Sequence, residues 1–65
     1  MTNDNIYFIA YALVDHRTEC EYRYQENREI FGEDHEITKF RKQQLKDAEK
    51  AVELFKKLID QEVQP

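Results

Sequence analysis

The feature that most constrains this chain is a helical pattern nearly half its length. From about His35 to Glu62, apolar residues fall at positions 37, 40, 45, 48, 51, 52, 54, 55, 58, 59 and 63. At 100° per residue they lie within an arc of roughly 180°. The opposite face carries Lys39, Lys42, Lys46, Lys50, Glu53, Lys57 and Asp60, with no glycine or proline between them. Glu53 and Lys57 form an i,i+4 pair in the favourable order. Asp34 is the expected N-cap, and Glu33, Asp34 and Glu36 place negative charge where the helix dipole favours it. Such a helix is roughly 40 Å long. A compact domain of this size has a diameter near 28 Å, about twice-and-a-half its radius of gyration. The helix thus outreaches the domain it belongs to.

The N-terminal half predicts strands. Ile6–Val14 is rich in aromatic and β-branched residues and is bounded by Asn and Asp. In a strand, Ile6, Phe8, Ala10, Ala12 and Val14 face one way, and Tyr7, Ile9, Tyr11 and Leu13 the other. Both faces are apolar and both want cover. Asp15–Glu19 is a polar break suited to a turn. From Cys20 the alternation is clean: Cys20, Tyr22 and Tyr24 share one face, Glu21, Arg23 and Gln25 the other. This second strand extends to about Phe31, and Gly32 marks the turn into the helix. The expected fold is α+β: strands over about 6–14 and 20–31 paired as an antiparallel hairpin, then the helix over about 35–62, as one domain. The register is open: a two-residue loop at His16 and Arg17 puts Leu13 opposite Cys20, Tyr11 opposite Tyr22 and Ile9 opposite Tyr24, and a loop longer or shorter by one residue flips the second strand's tyrosines to the other face.

One hairpin cannot cover both the second face of the first strand and the far end of the helix. With a single cysteine, no intrachain disulfide can compensate for a small core. The expected remedy is a homodimer or higher homo-oligomer. Its interface would draw on Tyr7, Ile9, Tyr11 and Leu13 and on Leu54, Phe55, Leu58 and Ile59.

Charge narrows the class of partner. Residues 1–36 carry three arginines against nine acids, a net −6, while residues 37–65 carry a net +2, giving −4 overall. That balance argues against direct binding to nucleic acid backbones, which needs clustered Lys and Arg. The acidic strip of Glu19, Glu21, Glu26, Glu29, Glu33 and Asp34 is a candidate docking surface for a protein partner with a basic surface. Its plainer reading is a solvated connection with helix-dipole complementarity. An alternative site uses Tyr22, Arg23, Tyr24 and Arg41 around a nucleotide-like anionic ligand at a subunit interface, against the plainer reading of packing and a snorkelling arginine.

The chain offers little for catalysis. It has no serine and no tryptophan, and its single glycine excludes a glycine-rich phosphate loop. Cys20 with His16 or His35 matches neither a nucleophile with its base nor a zinc spacing. The acidic run does not follow the spacing of a calcium loop. No catalytic residue, metal ligand or cofactor is therefore expected, and the chain is expected not to be an enzyme. The apolar run Ile6–Val14 is too short to span a bilayer and no positive leader precedes it, so a cytoplasmic location is expected. In size, acidity and lack of catalytic groups the chain resembles small proteins of phages and other mobile elements. That resemblance implies a binder that modulates or inhibits a host factor.

Overall fold

The computed structural model describes residues 3–63 and consists of two helices. Helix α1 spans Asn3–Phe31 and helix α2 spans Glu36–Val63. Met1, Thr2, Gln64 and Pro65 lie outside the description, as do the side chains of residues 3, 62 and 63. The molecule is a helical hairpin measuring 48 × 17 × 12 Å, two long helices side by side in a single layer.

The expected β-hairpin is corrected. Residues 6–14 and 20–31 are not strands; they are parts of one 29-residue helix, and Asp15–Glu19 runs through its middle rather than turning. The α+β class gives way to all-α. The reason is visible in the side chains that α1 turns inward. Ile6, Ala10, Leu13, Arg17, Cys20, Tyr24 and Asn27 are buried or half-buried and spaced alternately four and three apart, with the half-buried Ile9 at the edge of the same face. Helix α2 answers with Thr38, Arg41, Leu45, Ala48, Val52, Phe55 and Ile59, at the same alternation. Two such seams pack along their whole length as an antiparallel coiled-coil pair. Strand propensity at Ile6–Val14 is a preference of less than about 1 kcal/mol per residue. It loses to a seam that buries both helices against each other.

Helix α1 stops at Gly32, whose φ of 89° is the left-handed conformation that glycine adopts without strain. Its N–H donates to the Arg28 carbonyl at 2.9 Å, which closes the last turn. Helix α2 begins one residue later than the expected Asp34 cap implies. His35 is the cap. Its carbonyl accepts from Lys39 N–H at 3.0 Å, and its Nδ1 accepts from Ile37 N–H at 3.1 Å. The His35 ring also packs on Phe31, with centroids 4.8 Å apart, which fastens the loop to the end of α1.

The apolar core of the hairpin is made by Cys20, Tyr24, Ala48 and Val52, all buried. The loop end is a polar clasp. Thr38 is fully buried, and its hydroxyl donates to the Asn27 carbonyl at 3.3 Å. Arg41 Nε donates to Asn27 Oδ1 at 3.2 Å, and its Nη1 to Gln44 Oε1 at 3.0 Å. Polar pairs at seam positions fix which residues lie opposite, because any slip would strand them without partners. The long α2 therefore has cover along its length from α1 of the same chain, a cover the strand reading did not supply.

Candidate protein-interaction surface

With seven inward positions fixed on α1, the remaining side chains fall into two flanks. On one flank and the outer surface beside it stand Tyr7, Phe8, Tyr11 and Val14. Tyr7, Phe8 and Tyr11 are 65%, 75% and 69% exposed. They occupy the open end of the hairpin, opposite the loop, and share that side with Glu49 and Lys56 of α2. A helix with a partner on one side normally carries polar residues elsewhere. Helix α1 carries aromatic rings there instead. Tyr22, also exposed, continues this outer surface toward the loop.

The loop half of the same helix and the loop itself are acidic. Glu19, Glu21, Glu26, Glu29, Glu33 and Asp34 are all exposed. Two of them are engaged within the chain. Glu19 pairs with Arg23 at 2.6 Å. Glu33 is the hub of the loop end: it accepts the Tyr24 hydroxyl at 2.8 Å and lies 3.9 Å from Arg28 and 3.8 Å from Lys42. Glu21, Glu26, Glu29 and Asp34 take part in no ion pair among the described residues. They wrap around the helix rather than forming a single strip.

The residues considered for an anionic ligand do not converge. Tyr22 points outward, Arg23 is held by Glu19, and Tyr24 is buried beneath Glu33 with the Arg28 guanidinium 5.7 Å from its ring centroid. Arg41 sits in the seam on Asn27. The residues considered for an oligomer interface separate as well. Leu13, Phe55 and Ile59 lie in the seam between the two helices and Ile9 borders it, whereas Tyr7 and Tyr11 are on one flank and Leu54 and Leu58 on the opposite one.

Between the helices, midway along, a groove of about 280 Å³ is lined by His16, Gln44, Asp47, Ala48 and Ala51. Beside it, His16 Nε2 lies 3.6 Å from the Cys20 sulfur, one helical turn away. The thiol is buried, which withholds it from any substrate too large to enter the seam. Among the described residues no group of three His, Cys, Asp or Glu could hold a metal ion. No described helix is long and apolar enough to cross a membrane.

Sequence reasoning passed over Phe8, the most exposed large apolar side chain, because a strand would have turned it toward the helix. The signal was available: Tyr7, Tyr11, Val14 and Thr18 stand four, three and four apart, a helical spacing flanking the seam. No family model, no curated protein and no solved structure matches this chain.

Proposed function

We propose that this chain is a non-enzymatic interaction protein that binds a protein partner through the outer surface of α1 and modulates it by occupying that surface. The observation that carries the reading is the exposure of Tyr7, Phe8 and Tyr11, which the packing of α2 on α1 leaves uncovered. Aromatic residues grouped in this way are the usual anchors of a protein interface. The unpaired acids Glu21, Glu26 and Glu29 farther along the helix and Asp34 in the loop favour a partner whose apolar groove is bordered by Lys and Arg. The resemblance to small phage-type proteins agrees with inhibition of a host factor by occlusion, in the cytoplasm.

The test is affinity capture from lysate of the source cells with the full chain as bait, followed by measurement of the purified pair. Tyr7→Ser with Tyr11→Ser should weaken the complex by at least tenfold, about 1.4 kcal/mol. Glu26→Lys with Glu29→Lys should slow association at low salt and matter less at high salt. A complex indifferent to both pairs of substitutions overturns the reading.

A further inference from the structure

The flank opposite the tyrosines has a different character. Helix α2 carries a second stripe there, again spaced alternately three and four apart. Ile37 and Phe40 lie at its loop end, Gln44, Asp47 and the half-buried Ala51 in its middle, and Leu54 and Leu58 at its open end. The four large apolar members are exposed, Phe40 by 57% and Leu58 by 58%. Across the hairpin, α1 adds Ile30 at the loop end and Ile9 at the open end. The flank therefore carries large apolar residues at both ends and its polar residues at the centre, where His16, Gln44 and Asp47 line a groove together with Ala48 and Ala51.

We infer that this flank is covered by a second copy of the chain, so that two hairpins pack face to face as a two-fold four-helix bundle. Three observations select a second copy as the occupant. The first is the order of the surface. A two-fold contact joins a patch to itself, and an apolar–polar–apolar flank meets its own copy with apolar ends on apolar ends and the polar centres together.

The second is area. The chain exposes 5453 Å², whereas a compact monomer of 7.9 kDa exposes about 4,400 Å². The excess of roughly 1,000 Å² is close to the 800 Å² or so that each partner contributes to a stable interface. One flank of a hairpin 48 Å long is large enough to provide it.

The third is charge. The charged member of the stripe is Asp47, and His16 of α1 lines the same groove beside it, while the α2 lysines lie on the other side of that helix. With the two loops at the same end, α1 of each copy lies across from α2 of the other, and Asp47 faces the level of the other copy's His16 rather than a second carboxylate. With the loops at opposite ends, α2 would face α2 and bring the two Asp47 carboxylates together at the centre. The first arrangement is the one assigned.

This assignment is independent of the partner-binding surface, which lies on the other flank. Sedimentation equilibrium of the full chain tests it. The wild type should have twice its monomer mass at micromolar concentration; a monomer, or an open-ended series of larger species, overturns the assignment. Leu54→Lys with Leu58→Lys should return the mass to that of the monomer while the helical circular dichroism persists. Tyr7→Ser with Tyr11→Ser should leave the dimer intact. A dimer that survives the leucine pair, or is lost with the tyrosine pair, places the contact elsewhere and overturns it.

Because the leucine variant could unfold, Ala51→Leu is the reciprocal test. It adds apolar surface at the centre of the stripe, where the groove has room and the Arg41–Gln44 hydrogen bond is untouched, and should tighten the dimer about tenfold, 1.4 kcal/mol. No change or a weakening on Ala51→Leu overturns the assignment. Failure of partner capture with an intact dimer would overturn the proposed function alone.

Discussion

At the residue scale, the loop depends on a few side chains with no substitutes. Gly32 holds a φ of 89°, and no neighbouring atom lies near where a Cβ would be. The cost of replacing it is therefore backbone strain rather than a clash. Gly32→Ala should destabilise the hairpin by about 1 kcal/mol, read as a lower urea midpoint with an unchanged slope. A change in slope instead would mean that the loop alters how much of the chain unfolds together. Asn27 is the other such residue. It serves Thr38 through its carbonyl and Arg41 through its side chain, so one residue anchors both members of the clasp and ties the start of α2 to the end of α1.

At the element scale, α1 and α2 are amphipathic in different senses. Helix α2 separates its apolar and charged faces, and its helical character is evident in the sequence. Helix α1 has apolar residues on nearly every side through its first half, which obscures its period. What defines it is the seam. Small residues at Cys20 and Ala48 let the two backbones approach closely at mid-length, and both are buried. Ala48→Leu should cost about 1–3 kcal/mol through overpacking, despite leucine's good helix propensity. Thermal unfolding checks this. A neutral or stabilising result would show that the helices can separate at that level without loss, and that the seam is looser than its burial indicates.

At the scale of the whole molecule, a single-layer hairpin has little interior. Its Cα radius of gyration is 14.9 Å, against about 10.7 Å for a compact chain of 65 residues. Its two helices cover only one side of each other. The remaining sides are divided between an aromatic flank suited to a foreign partner and a palindromic flank suited to its own copy. If the second copy completes the core, folding and association are linked, and the melting temperature should rise with protein concentration. Scanning calorimetry over a hundredfold range of concentration checks this, and a constant midpoint would mean that each hairpin is stable alone.

The sequence by itself determined the long C-terminal helix, the turn at Gly32 and the division of charge between the two halves. Each of these is written in local spacing, where period, turn residue and net charge need no knowledge of distant contacts. The first helix was not legible in the same way. Ile6–Val14 has strand-forming residues, and Cys20, Tyr22 and Tyr24 alternate as a strand would. Arg17 and Asn27 also put polar residues on the face that turns out to be inward. The absence of glycine and proline before Gly32 was the available sign of helix. Only the tertiary structure decided that Cys20 and Tyr24, not Tyr22, face inward, because that choice belongs to the pairing with Ala48 and Val52 and not to either segment alone. The same pairing separates Tyr7 and Tyr11 from Leu54 and Leu58 onto opposite flanks. A surplus of apolar residues can be counted in a sequence; which side of the molecule each one occupies is fixed by the packing of one helix on the other.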